Sequence, residues 1–318
     1  MTKRLATVGD LVVDIVLDAR LPVQADAHQT LKRLEFEAGG ACTTVLAGRN
    51  MGLDVSVLGT VGDDSQGRML LDLLSAAAVD TSALVIPERS TTTTVVALTD
   101  SARGDHVFLG HYGVGADIGF TERAERVLAS ADAVFIPGYT LVEARLTGLV
   151  DGVLDWLAAH ESRLYFDVGP FARQLSLTQL DRVLALTDTL LLTKDEIPFV
   201  TAGAGGLAAL RELRRRYPTL TIALKLAQAG CRIITGADEM HCPGFAVKVV
   251  DTVGAGDAFA GAFIWADLQG YSPLECGTIA NAMGGSSVER AGAGTKAPTR
   301  ADVQALLDRQ NAGIILSC

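Results

Sequence analysis

No Cys-x-x-Cys pair occurs among the five cysteines, Cys42, Cys231, Cys242, Cys276 and Cys318, and their number is odd. That excludes a disulfide framework and a zinc ribbon, and it fits a reduced, cytoplasmic protein. The five histidines show no metal-ligand spacing. Basic residues are also short: 27 Lys and Arg against 37 Asp and Glu give a formal net charge of -10. Neither nucleic acid nor a membrane surface is therefore expected as a partner, since both need a cationic surplus. No apolar run reaches the roughly 18 residues of a membrane helix. The opening MTKRLATVGD meets Asp10 too soon for a signal-peptide core. Missing as well are a G-x-x-x-x-G-K-[ST] loop and the H-R-D and D-F-G sets, which removes the P-loop and protein-kinase routes to phosphate chemistry.

What is present is apolar and rhythmic. Hydrophobic residues make up 49% of the 318-residue chain, a composition suited to a sheet buried on both faces. Short β-rich runs (LATVG, VSVLGTVG, AVFIPG, RLYFDVG, TLLLT, LTIALK) alternate with amphipathic stretches such as LVDGVLDWLAAH and LAALRELRRRY. That alternation predicts an α/β fold, a three-layer α/β/α sandwich around a mostly parallel sheet. Two segments, about 12–37 and about 91–112, break the rhythm with strand patterns and no intervening helix. They predict a small β-sheet lid on a single domain spanning 1–318, with a site in the cleft between lid and body. The lid's outer face is a candidate homodimer surface. From residue 252 onward consecutive helices are expected over about 256–270, 274–290 and 299–309.

The stretch VVDTVGAGDAFAGAFIWADL, residues 249–268, carries the chemistry. Gly254 and Gly256 permit backbone turns that aim successive N–H groups to one side, and a helix beginning there adds partial positive charge. Gly254, Ala255, Gly256 and Asp257 then form an anion hole with a carboxylate at its mouth. Such a carboxylate can take a proton from a hydroxyl while the N–H groups stabilise a phosphoryl group in transfer. The plainer alternative is a tight turn with Asp257 as a helix cap.

The string Asp251-Thr252-x-Gly254-Ala255-Gly256-Asp257-Ala258-Phe259 resembles the C-terminal signature of the ribokinase-like, or PfkB, family of carbohydrate kinases, and the resemblance runs along most of the chain in order. It implies an ATP- and Mg²⁺-dependent kinase with Asp257 as general base. In VGDLVVDIV, Asp14 matches the carboxylate that binds substrate hydroxyls, and an acid inside an apolar run is costly to bury without a function. Gly39 and Gly40 resemble the turn where backbone meets the sugar. Where the family usually has Asn, this chain offers Thr43 or Thr44, and a hydroxyl does not reproduce an amide. Gly138 falls at the substrate cleft, where some relatives carry Glu, and His111 lies on the lid, as a surface residue or, alternatively, a substrate contact.

For the nucleotide side the resemblance implies Lys225 and Gly230 in ALKLAQAG, with Ala227 where Gly is usual, together with Asn281 along the adenine and Gly292 and Ala293 in the closing loop. LLLTKDEIPFV matches an Asn-x-x-Glu motif with Thr193 in the Asn position. Glu196 would act on Mg²⁺ through water, since Mg²⁺ keeps much of its hydration shell. Asp251 matches a ligand of the monovalent cation, K⁺, that activates several relatives. The first motif lacks the Asn-Pro-Ala opening of phosphosugar kinases, so the expected acceptor is an unphosphorylated sugar or sugar acid. A nucleoside is the second reading, and a non-catalytic ligand-binding regulator on the same fold the third.

Overall fold

Apolar residues at alternate strand positions face opposite helical layers: Leu5, Phe135, Leu191 and Ala223 enter one core, while Ala6, Val134, Ile136, Leu190 and Leu192 enter the other. This double burial makes the strands read as nearly continuous hydrophobic runs. The computed structural model describes residues 2–317 apart from 27, 101, 104, 237, 291 and 293.

The strands are β1 (Arg4–Asp18), β2 (Arg33–Gly40), β3 (Asp54–Thr60), β4 (Asp80–Val85), β5 (Thr93–Asp100), β6 (Asp105–His111), β7 (Ala133–Pro137), β8 (Arg163–Asp167), β9 (Thr189–Thr193), β10 (Thr221–Lys225), β11 (Cys231–Ile234) and β12 (Glu239–Cys242). The main sheet runs β12-β11-β10-β9-β8-β7-β1-β3-β4. It is parallel from β10 to β4, and the β11–β12 hairpin closes one edge antiparallel. Helices α1 (Ala41–Met51), α2 (Ser65–Ala76), α8 (Ala255–Leu268), α9 (Pro273–Val288) and α10 (Arg300–Arg309) cover one face. The other is covered by α3 (Glu122–Ser130), α4 (Thr147–Ala159), α5 (Leu177–Leu186), α6 (Ile197–Val200) and α7 (Gly206–Arg216). The result is a mostly parallel three-layer α/β sandwich.

β1 belongs to both parts of the molecule. Its first half pairs with β3 up to Asp10↔Thr60, and from Leu11↔Gly40 onward it pairs with β2 antiparallel and, from Val12↔Thr93, with β5 parallel. β6 adds to β5 antiparallel. The segments about 12–37 and 91–112 thus supply a four-strand sheet that leaves the body along one continuous strand. Helix α8 is buried almost all round. Gly261 lets α1 cross it closely, since a methyl group there would lie 2.7 Å from the Thr44 carbonyl oxygen and 2.9 Å from Ala47 Cβ. Among the described residues no helix is long and apolar enough to cross a membrane.

Candidate active site

Three strand ends place polar or charged side chains along the carboxyl edge of the parallel sheet, where open α/β folds bind ligands. Asp167 ends β8, Thr193 ends β9 and Lys225 ends β10. The Lys225 ammonium donates to both Asp167 carboxylate oxygens, at 2.7 and 2.9 Å. Burial by itself would lower the Lys225 pKa, but the charges of Asp167 and Glu196 raise it, so the side chain stays an ammonium.

This ammonium meets the start of α8. Gly254 is the helix N-cap with φ 73°, a left-handed conformation that glycine adopts without strain. The Gly254 carbonyl accepts from Ala258 N at 2.9 Å, and Ala255 N turns back to Thr252 O at 3.4 Å. The N–H groups of Gly256 and Asp257 lie in the first turn, where no intrahelical acceptor exists. A methyl group on Gly256 would sit 3.6 Å from Lys225 Nζ. An anion at this point meets helix-terminal N–H groups and a cation together.

Asp257 stands in the first turn of α8, and its pKa is pushed up to about 7. Burial is the largest cause; Asp167, Asp14 and Glu196 add to it, while Lys225 opposes it. A carboxylate poised near neutrality is a competent general base. Asp14, on the lid half of β1, is likewise raised to about 7, by burial first and by Glu37 second. Glu37 is its cross-strand partner in β2. Gly39 makes room for Asp14: a methyl group there would fall 2.2 Å from Asp14 Oδ2. Gly40, with φ 57°, turns the chain into α1.

Glu196 is buried, and its Oε2 accepts from Thr193 N at 2.7 Å in a capping box that starts the turn after β9. Burial, as the largest cause, raises its pKa; Lys225 opposes the shift and Asp167 reinforces it. Among the described residues no three His, Cys, Asp or Glu side chains gather as a metal site. Mg²⁺ that is carried by nucleotide phosphates and keeps its water shell needs no such cluster, and Glu196, near Lys225 and Asp167, fits as a carboxylate to hold that water.

The structure brings together Asp14, Gly39, Gly40, Gly254, Ala255, Gly256, Asp257, Lys225 and Glu196. It places other expected residues differently. Thr44 is 1% exposed where α1 meets α8, and Thr43 donates to Ala38 O at 3.4 Å, so helix packing has removed both from the cleft surface. Gly138 is required by backbone proximity, since a methyl group there would lie 1.9 Å from Val168 O. Gly230, with φ 89°, keeps clear of the Cys242 carbonyl in the same way. Asn281 is buried, and its amide nitrogen donates to the carbonyls of Cys242 and Pro243 at 2.9 and 3.2 Å, tying α9 to the end of β12. His111 is exposed at the end of β6. Asp251 accepts from Val253 N and Gly292 N, each at 3.0 Å, and from Arg33 at 3.4 Å. Ala293 lies outside the described residues.

Two participants escaped the sequence reading. Asp167 fell within the strand run RLYFDVG and Arg33 within the first lid segment, and neither was singled out. An acid ending one parallel strand and a lysine ending another two places away is a signal that would have found the first.

A glycine-capped helix start, a raised carboxylate in its first turn and a lysine ammonium beside it are parts that phosphoryl transfer calls for. The pfkB family carbohydrate kinase model matches residues 2–300, and the chain belongs to that family. It is accordingly a phosphotransferase, with the sugar or nucleoside kinase activity of its relatives. It is 30% identical over 317 residues to the ATP-dependent ribose-1-phosphate kinase of Halopiger xanaduensis, covering 96% of this chain and 99% of that one. A nucleoside kinase of Methanothermobacter thermautotrophicus is 25% identical over 301 residues, 92% of each protein. Among solved structures, a putative ribokinase II from E. coli superposes with a TM-score of 0.85 at 20% identity, covering 97% of this chain and all of that one. The ribokinase fold is therefore shown.

Proposed function

We propose that this protein transfers the γ-phosphoryl group of ATP to a hydroxyl of a small, unphosphorylated sugar or sugar acid. The observation that carries the reading is the meeting of Asp257, its pKa near 7, with the open start of α8 and the Lys225 ammonium. In this reading Asp14 holds acceptor hydroxyls beside Gly39. Asp257 removes the proton from the attacking hydroxyl, and the N–H groups of Gly256 and Asp257 stabilise charge on the phosphoryl oxygens. Lys225, fixed by Asp167, reinforces that stabilisation. Bound Mg²⁺ would neutralise phosphate charge, with Glu196 the residue to hold its water shell. The lid over the cleft would exclude water during transfer.

An acceptor without a phosphate is favoured by how the cations beside the acceptor cleft are already engaged. Arg145 pairs with Asp10 and Glu143, each at 2.9 Å, and Lys296 pairs with Glu35 and Glu37. A substrate phosphate would have to compete with these carboxylates. Ribose 1-phosphate is the second reading, supported by the similarity to the Halopiger enzyme. The lid exposes Leu34, Phe36, Val107, Phe108 and Leu109, and β6 is exposed at every residue. A homodimer through that face would cover both the apolar patch and the open strand edge.

The test is ADP release by the purified protein with MgATP and each of D-ribose, D-fructose, D-gluconate, ribose 1-phosphate and inosine. Turnover of the free sugars or the sugar acid alone supports the proposal. Turnover of ribose 1-phosphate alone selects the second reading.

A further inference from the structure

Asp251 stands three residues ahead of Gly254, and its negative charge opposes the charge that gathers on a transferring phosphoryl group. The resemblance to the family implies a monovalent cation at this position. A K⁺ site needs several oxygen donors converging on one point, whereas among the described residues three N–H groups already donate to the Asp251 carboxylate. Val253 N donates to Oδ1 at 3.0 Å, Gly292 N to Oδ2 at 3.0 Å, and Arg33 Nη1 reaches the same Oδ2 at 3.4 Å. Arg33 and Asp251 are mostly buried, at 18% and 13% side-chain exposure. The donor chemistry beside Asp251 does not fit K⁺: a guanidinium already faces the carboxylate, and a second cation on the same carboxylate would be repelled by it.

We propose that the Arg33 guanidinium replaces the monovalent cation in this chain, so that phosphoryl transfer needs no K⁺. The inference rests on the kinase reading above. Arg33 opens lid strand β2, and its Nη2 is braced by Glu35 at 2.6 Å. Lys296 ties Glu35 and Glu37 to the loop that follows Gly292. Gly292, with φ 96°, leaves the space the guanidinium needs: a methyl group there would sit 2.9 Å from Arg33 Nη2. The neutralising charge thus arrives on the lid itself and does not depend on the ion content of the solution. Arg33 acts through Asp251 and the turn that follows, which makes it a positioning residue.

The experiment compares KCl with tetramethylammonium chloride at equal ionic strength, using wild-type protein, Arg33→Met and Arg33→Lys. Each is assayed with MgATP and the five acceptors named above, and the wild-type melting temperature is read in both salts. The wild-type rate is expected to agree within about twofold between salts, whereas Arg33→Met in tetramethylammonium falls at least about tenfold, as for loss of one electrostatic contact in a dry site. KCl recovers part of that loss, and Arg33→Lys, which keeps the charge, retains most of the activity. A bound K⁺ would raise the melting temperature in proportion to its occupancy; the expected difference is under about 1 °C. Several-fold activation of wild-type protein by KCl, a clear K⁺-specific rise in its melting temperature, or full activity of Arg33→Met in tetramethylammonium each overturns the inference. If the wild-type protein turns over none of the acceptors, the proposed acceptor class fails, and the melting comparison still decides whether the Asp251 site takes K⁺.

Discussion

Lys225 is gripped by both carboxylate oxygens of Asp167, at 2.7 and 2.9 Å, and its ammonium lies over the first turn of α8 beside Gly256. A lysine fixed in this way presents a pre-oriented charge to an incoming phosphate and needs no reorganisation at the moment of transfer.

Lys225→Met should therefore lower kcat/KM for ATP by about 10²-fold. It also leaves Asp167 buried without its partner, at a cost of roughly 3–5 kcal/mol where a buried pair is broken. The double variant Lys225→Met, Asp167→Asn removes both charges. It should recover most of the melting temperature lost in the single variant while recovering none of the activity. Steady-state kinetics and thermal melting of the three proteins check this.

The acid side of the pH profile follows from Asp257. A general base works only when ionised, and its pKa is raised to about 7 by burial and by neighbouring carboxylates. As pH falls through about 7 the base protonates, so kcat/KM should fall tenfold per unit well below that point. Asp14, also raised to about 7, acts in the same direction. A profile flat from pH 5 to 8 would contradict both assignments.

The same raised values set a stability trade-off. Between the unfolded carboxylate pKa of 3.8 and the folded value of about 7, the native protein binds more protons than the unfolded chain. Stability contributed by these groups is thus full below the unfolded value and declines as pH rises through about 7. Asp14→Asn removes a charge that the native state disfavours. It should melt about 2 °C higher than wild type at pH 8, with the difference vanishing near pH 4.

Gly39→Ala tests the acceptor end. A methyl group 2.2 Å from Asp14 Oδ2 forces that carboxylate aside. The KM for the acceptor should rise about tenfold or more with the KM for ATP little changed, since loss of a charged hydrogen bond is worth about 1.5–3 kcal/mol. Separate titration of the two substrates distinguishes this from general destabilisation.

Much of this site was legible in the sequence because its chemistry is contiguous. Gly254, Gly256 and Asp257 sit within four residues at the junction of turn and helix, where spacing suggested an anion hole and the resemblance of the longer string to the PfkB signature favoured it over a plain turn. The β-α alternation likewise implied the parallel sheet, since each buried strand is a short apolar run. What spacing does not encode is contact made by sheet order. Asp167 and Lys225 are 58 residues apart and meet only because β9 brings β8 and β10 to the same edge, with Asp167 opposite Leu191 and Lys225 opposite Thr193. Arg33 and Asp251, 218 residues apart, meet because the lid strand β2 reaches the loop before α8. The burial of Thr44 was hidden for a related reason: Gly261 lets α8 approach α1 closely enough to cover that turn. The β11–β12 hairpin was also missed, as two four-residue strands carry too little periodicity to register.

The measurement that bears most directly on the central claim is ADP release by Asp257→Asn beside wild-type protein, with ATP affinity measured on both. The variant keeps the shape of the site and loses only the base. The account predicts a fall in kcat of about 10²- to 10⁴-fold with the dissociation constant for ATP little changed. Turnover equal to wild type in the variant would contradict it and remove Asp257 from the reaction.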